Sequence, residues 1–271
     1  MRIRIVFGLK NRGEEVPFHH QYILSQIIKG VLVSGGNDKY INYNQYNFSG
    51  LKGQTKVSRK GLHFYSSKVT VVFSCLNKEF VDYFLQLLFS FEEIEVGNLK
   101  LTPEAVELES VAEIGDEMKY VCISPVVLKA PQFQNSAAKT FIHPDLDEFS
   151  DLLYESTMER MEASGMYSST EISSFYKFQL IPDAAYLAKL TKEKKKFARI
   201  YPVYENDVKY EVRGYTFPFT LYAAKEVQEF IYNSGLGHLA HKGFGMLDVA
   251  MYKTSKVDRK IKSYQPNLVQ S

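Results

Sequence analysis

The stretch best suited to chemistry is Gly235-Leu236-Gly237-His238-Leu239-Ala240-His241-Lys242-Gly243-Phe244-Gly245-Met246-Leu247. Its four glycines, at 235, 237, 243 and 245, fall between a predicted helix and a predicted terminal strand. Glycine opens φ > 0 and lets a backbone approach a ligand closely, and unpaired amides in such a loop can cradle a phosphate. His238, His241 and Lys242 add side-chain donors to the same loop. A tight helix-to-strand connection would use the glycines equally well. Dinucleotide and P-loop fingerprints do not fit, because the glycines follow a helix instead of opening one and no Gly-Lys-Ser/Thr occurs.

A second group of candidates lies near the N-terminus. Pro17 is placed to open a helix whose apolar face carries Ile23, Leu24, Ile27, Ile28 and Val31. His20 shares that face and reads as a helix-start residue over the core. His19, Tyr22, Gln26 and Lys29 follow at i, i+3, i+7 and i+10, which makes one polar stripe. A solvated helix face is the competing account of that stripe. Lys52, Lys56, Arg59 and Lys60 are interleaved with Gly, Gln, Thr and Ser, as in an exposed basic hairpin, and Lys192 to Arg199 forms a second basic run. Charge runs of this kind are most often solvated loops. His63 and His143 have no evident partner in the sequence and read as structural, and Tyr40, which could donate a proton, reads first as a packing residue.

Composition limits the options. The chain has 271 residues, 45% hydrophobic, 24% charged and 14% aromatic, which describes a folded protein long enough for two domains. A net charge of +2 excludes a protein that is basic all over, so any nucleic-acid contact must be local. Cys75 and Cys122 sit in apolar β-type runs and read as packed free thiols. No segment approaches 18 apolar residues, and the first residues, MRIRIVFGLK, lack the apolar core of a signal peptide. The expectation is a cytoplasmic protein without a membrane partner. No cluster has metal-ligand spacing, so neither a metal nor a cofactor is expected.

Periodicity supplies the elements that must position these residues. Strands are predicted at 2–8, 45–51, 68–75 and near 93–109, with helices from Pro17 and over 78–90. That order is β-α-β-β-α-β, the ferredoxin-like unit. It recurs with a strand at 119–124, a helix over 145–164, strands at 174–181, 196–204 and 207–220, a helix at 223–233 and a strand at 246–252. The fold class expected is therefore α+β, two tandem ferredoxin-like βαββαβ domains with a C-terminal glycine-rich loop. Their limits are 1–115 and 116–252, followed by a basic tail at 253–271.

The spacing Gly-x-Gly, five residues, then Gly243-Phe244-Gly245-Met246 ahead of a terminal strand resembles the signature of the CRISPR repeat-processing endoribonucleases of the RAMP superfamily. Val16-Pro17-Phe18-His19-His20-Gln21-Tyr22 resembles that family's entry to its first helix, and Tyr46-Asn47-Phe48-Ser49 its second strand. Ile123-Ser124-Pro125-Val126-Val127 and Gly214-Tyr215-Thr216-Phe217-Pro218-Phe219 match further segments in the same order. The resemblance implies an enzyme that binds CRISPR repeat RNA. It implies cleavage without metal, by attack of a ribose 2′-hydroxyl on the adjacent phosphate to leave a 2′,3′-cyclic phosphate. Such chemistry needs a base, an acid and positive charge for the phosphorane.

Members usually place a histidine in or just after the first helix, but residues 21 to 62 here contain none. His19, as base or acid, and Lys29 and Lys52 at the phosphate are then the catalytic candidates. The RNA-binding candidates are Lys56, Arg59, Lys60, Gly235, Gly237, His238, His241, Lys242, Gly243 and Gly245. A catalytically silent repeat-RNA-binding relative and a subunit of a CRISPR ribonucleoprotein are the alternatives. CRISPR effector subunits and a second copy of the chain are further candidate partners.

Overall fold

The structure, a computed structural model, describes residues 1–109, 113–129, 141–205, 208–250 and 262–263. The chain divides into two compact units. One comprises Met1–Val111, His241–Gly243 and Val257–Ser271, and the other Ala112–Ala240 and Phe244–Lys256.

The first unit runs β1 (Arg2–Leu9), β2 (Glu15–Val16), α1 (Gln21–Ser34), α2 (Asp38–Ile41), β3 (Tyr46–Phe48), β4 (Thr55–Val57), β5 (Leu62–Phe64), β6 (Lys68–Cys75), α3 (Lys78–Leu88), β7 (Ile94–Val96) and β8 (Leu99–Leu108). Its main sheet has the antiparallel order β8-β1-β6-β3, with β7 hydrogen-bonded to β8. Register explains the core. Ile3, Ile5 and Phe7 pair with Phe73, Val71 and Val69, so one face of the central strands is wholly apolar. Leu24, Ile28 and Val31 of α1 and Phe80, Phe84 and Leu88 of α3 fall at helical spacing and close over that face. Asn77 caps α3 by accepting the Phe80 amide at 3.0 Å.

A smaller sheet, β2-β5-β4, sits beside the main one. Val16 and Phe64 are buried beneath it. Glu15, His63 and Lys56 pair across it and share its outer face.

The second unit runs β9 (Glu117–Cys122), β10 (Val126–Val127), α4 (Asp147–Ser164), α5 (Ser169–Ser174), β11 (Phe178–Pro182), α6 (Ala184–Lys192), β12 (Ala198–Glu205), β13 (Val208–Tyr215), β14 (Phe219–Ala223), α7 (Lys225–Ser234) and β15 (Leu247–Val249). Its sheet order is β11-β14-β9-β15, antiparallel throughout. Taking the main strands in chain order, both units place the first strand between the third and the fourth. The second unit adds an insertion between its second and third strands. That insertion holds α6 and the hairpin β12–β13, and β10 pairs with β13.

Several boundaries differ from those read in the sequence. Helix α1 starts at Gln21, and Pro17 to His20 form an extended residue and a turn ahead of it. The single strand expected over 207–220 is two strands, because the chain leaves β13 at Tyr215 and enters β14 at Phe219. Pro218, which has no amide to donate, lies in that break. Helices α2, α5 and α6 were not anticipated. Each is short, and α6 buries only Leu187 and Leu190 ahead of the lysine run that masks its period. The expected basic tail lies outside the described residues except for a short strand, Lys262–Ser263, which pairs with β8. Among the described residues, no helix is long and apolar enough to cross a membrane.

Candidate functional site

His20 organises the entry to α1. It is buried, and its Nδ1 lies 3.0 Å from the Pro17 carbonyl. Its Nε2 accepts the Leu51 amide at 2.9 Å. A ring nitrogen that accepts from a backbone N–H cannot itself be protonated, so the proton sits on Nδ1 and the ring is neutral. Burial lowers the pKa of His20, and the charge of neighbouring His19 lowers it further, against the raising effect of the Pro17 hydrogen bond. Gly50 permits the approach, since a Cβ there would come within 3.0 Å of the His20 Nε2.

This one bond brings together the segments that carry two of the catalytic candidates. His19 precedes His20, and Lys52 follows Leu51. Lys52 is exposed, and its backbone is held on both sides by Thr70 at 2.8 Å. A third group joins them. Residues 241–243 cluster with the first unit, where a Cβ on Gly243 would lie 2.7 Å from the Phe48 ring and 3.3 Å from the Gln21 side chain. The segments that carry His19 and Lys52 thus meet at the start of α1, and Gly243, which follows His241–Lys242, packs against Gln21 there. The helical stripe changes accordingly. His19 lies in the turn before α1, so only Tyr22, Gln26 and Lys29 share a helical face. Lys29 is exposed and stands two turns along, roughly 12 Å of rise beyond Gln21.

The rest of the glycine-rich loop is held firmly by its own unit. Gly235, Gly237, Gly243 and Gly245 all have positive φ, from 69° to 85°. The amides of Gly235, Leu236, His238 and Gly245 donate to the carbonyls of Ile231, Gly245, Val127 and Pro125, and the Met246 amide donates to the Ser124 hydroxyl. Those five N–H groups are therefore engaged within the protein and cannot cradle an anion. Gly235 and Gly237 also give their carbonyls to the Arg160 guanidinium, at 2.7 and 3.2 Å, and Ser234 gives a third. Burial draws the Arg160 pKa down to about 10, which leaves it charged at neutral pH. Leu239 and Phe244 pack with Tyr201, Val203 and Val212 of the hairpin β12–β13. His238 is exposed on this framework.

Lys56, Arg59 and Lys60 occupy the β4–β5 hairpin and are exposed. Ser58 shapes its tip by accepting the amides of Lys60 and Gly61. The Lys56 ammonium stands 5.0 Å from the Tyr65 ring centroid. His63 and His143, which showed no partner in the sequence, have them here. His63 meets Glu15 at 3.4 Å and the Gly13 carbonyl at 2.8 Å, and His143 meets Asp145 at 3.1 Å. Among the described residues, no three His, Cys, Asp or Glu side chains gather to hold a metal ion. Both cysteines are free thiols, and burial pushes Cys122 up to about 12.

Residues 107–249 match the family model described as CRISPR associated protein Cas6, C-terminal, which is more than half of the chain. The chain belongs to the Cas6 family. It is 22% identical over 255 residues to a CRISPR-associated endoribonuclease-like protein Cas6 of Pyrococcus furiosus, covering 92% of this chain and 98% of that one. A solved structure described as an RAMP protein binding different RNA substrates superposes with a TM-score of 0.74 at 19% identity, over 93% of this chain and 100% of the other. Another, of a Cas6-related gene from Pyrococcus furiosus, gives 0.73 at 19% identity, over 92% and 98%. At that identity the likeness shows the fold, a mixed α+β chain with antiparallel sheets.

Sequence reading of this Cas6-family chain missed Arg160 and the second bond of His20. The signal for Arg160 was present. It follows Leu153 and Thr157 at i+7 and i+3, on the stripe of α4 that faces the interior. A charge on an apolar stripe implies carbonyls waiting for it. The Leu51 amide had no such signal, because it depends on which strand end the fold delivers to α1.

Proposed function

We propose that this chain binds CRISPR repeat RNA and cuts it by attack of the 2′-hydroxyl upstream of the scissile phosphate. The attack forms a 2′,3′-cyclic phosphate and releases a 5′-hydroxyl. The observation that carries this reading is the meeting, at the start of α1, of the segments that hold His19, Lys52 and His241–Lys242. In the proposed step the His19 imidazole takes the 2′-hydroxyl proton or supplies one to the departing 5′-oxygen. The Lys52 ammonium offsets the charge that builds on the phosphorane, and Lys29 meets the phosphate beyond it. His20 has no share in proton transfer, since both of its nitrogens are engaged. No metal takes part.

The two β-α-β-β-α-β units, with the same neighbour order, support a reading as tandem ferredoxin-like domains of residues 1–115 and 116–252. Lys56, Arg59 and Lys60 are assigned to RNA phosphates, as are the side chains of His238, His241 and Lys242. The glycines of the loop serve to shape it. CRISPR effector subunits and a second copy of the chain are further partners to test, and the cytoplasm is the proposed location.

The test is incubation of the purified protein with repeat RNA in excess EDTA, beside copies carrying a 2′-deoxy substitution at each candidate cut site. Cleavage that survives EDTA and stops with one 2′-deoxy supports the mechanism. His19→Ala and Lys52→Ala should then each slow cutting by about 100-fold or more, the usual contribution of an acid–base or charge-stabilising group. Tight binding of repeat RNA with no cut would favour a silent RNA-binding protein. One observation supports that second reading: the chain has no histidine between residues 21 and 62, and its buried His20 is held in a structural role.

A further inference from the structure

The lysine run at 192–196 remains unused by the proposed cleavage site. It opens onto a cleft of 460 Å³ lined by Phe141, Lys195, Lys196, Phe197, Ala198, Arg199, Ile200 and Arg213. That volume falls within the range of small-ligand sites. The cleft is built from the start of β12, the facing residue of β13 and the segment before α4.

Its floor is aromatic. Phe141 is 47% exposed, and its ring lies 5.9 Å from Phe197 and 6.1 Å from Tyr215. The Arg213 guanidinium stands 5.6 Å from the Phe141 centroid, which stiffens that ring as a platform. His143 meets the edges of Phe141 and Phe197 at 6.0 and 5.9 Å.

The rim is cationic. Lys195 is bound to Glu193 at 2.8 Å, so its charge is partly offset, and Asp145 is bound to His143. Lys196 and Arg199 are exposed.

A half-exposed ring among cations offers a flat π-face beside charges that suit a phosphate. We infer that this cleft is a second RNA site, which takes an unpaired nucleotide of the repeat RNA by stacking its base on Phe141 and holding its phosphates with Lys196 and Arg199. The inference rests on the RNA-binding reading above and adds a preference for single-stranded over duplex RNA, because a paired base cannot reach the ring.

The experiment uses the full chain with fluorescently labelled single-stranded repeat RNA, a blunt RNA duplex of the same length, and a thiouridine-substituted repeat for photo-cross-linking. Phe141→Ala should weaken single-strand binding by about tenfold, and Phe141→Trp should restore it. The double variant Lys196→Glu, Arg199→Glu should lower the salt dependence of binding by about 1.4 in log–log slope. Cross-links should map to the peptides holding Phe141 or 196–200. Thermal unfolding of Phe141→Ala close to wild type would assign its loss to binding and not to folding.

Wild-type affinity in both variants, with cross-links only elsewhere, would overturn the cleft and leave the RNA-binding reading intact. Equal losses on duplex and single strand would overturn the stacking assignment. Failure of the unaltered protein to bind any repeat RNA would overturn both readings together.

Discussion

The glycine-rich loop and the entry to α1 face the same problem and solve it differently. Each is an irregular segment with enclosed backbone groups that no helix or sheet can satisfy. In the loop the groups left over are carbonyls, those of Ser234, Gly235 and Gly237, and a guanidinium that only donates suits them. At the entry to α1 one carbonyl and one amide are left over, those of Pro17 and Leu51. They need a group that donates at one end and accepts at the other, which a neutral imidazole does. The loop is therefore pinned by a charge that persists at any ordinary pH. The entry is pinned by a ring that must stay uncharged.

The loop side of this comparison is expected to break first, at Gly245. Its φ is +69°, its amide and carbonyl are both hydrogen-bonded, and a Cβ would stand 1.9 Å from the Leu236 oxygen. No side-chain rotation relieves a contact between a Cβ and a backbone atom. Gly245→Ala should cost about 4 kcal/mol, read as a lower midpoint in urea unfolding. A loss under about 1 kcal/mol would mean that the loop relaxes far more freely than its bonds suggest.

Arg160→Met comes next. It keeps the stem and removes the donors, leaving three carbonyls without the guanidinium, so it should cost about 3 kcal/mol. Lys in its place would supply one compact charge in place of a planar fork and should recover only part of the loss.

Much of this architecture could be read in the sequence, and the exceptions share a cause. β1 and β6 alternate or run apolar over eight residues each, and α3 repeats its apolar residues at helical spacing, so local periodicity was enough. The hairpin carrying Lys56, Arg59 and Lys60 was legible from its polar connection. Helix α6 was hidden because only two of its residues face the interior. The start of α1 was placed at Pro17, but His20 turns back on the Pro17 carbonyl, and the helix begins only after it. The convergence of His19, Lys52 and Gly243 could not be read at all. It depends on which strand end and which loop residue the fold brings to α1, and that is a long-range property.

His20→Gln sharpens the comparison from the other side. Glutamine can donate and accept but does not reach both partners in the imidazole geometry, so a loss of about 2 kcal/mol is expected at pH 8. The pH dependence is the more specific reading. Burial lowers the folded pKa of His20 below the usual 6.5, so the unfolded chain binds the extra proton first. Its contribution is complete above pH 6.5 and is lost as pH falls from there toward the lowered folded value. Wild-type stability should decline across that acidic window more steeply than that of His20→Gln, while Arg160→Met should follow the wild-type slope. Parallel curves for wild type and His20→Gln would show that the imidazole does not hold the entry in its neutral form.

The smallest structural effect is expected where no backbone depends on a charge. At the β4–β5 hairpin Ser58, not a cation, holds the tip, and Lys56, Arg59 and Lys60 are exposed, with Lys56 resting only over the Tyr65 ring. Replacing all three by alanine should change stability by no more than about 0.5 kcal/mol. On the proposed RNA-binding reading, the same variant should lose affinity for repeat RNA, and its log–log salt slope should fall by about 2. The two measurements separate together what the anchored segments combine. At Arg160 and His20 the polar side chain is part of the fold, so a variant damages structure and site at once. On the hairpin no backbone group depends on a charge, and a change in RNA affinity with unchanged stability reports contact alone. An unchanged salt slope would remove the hairpin from the interface and leave its charges as a solubilising edge on the small sheet.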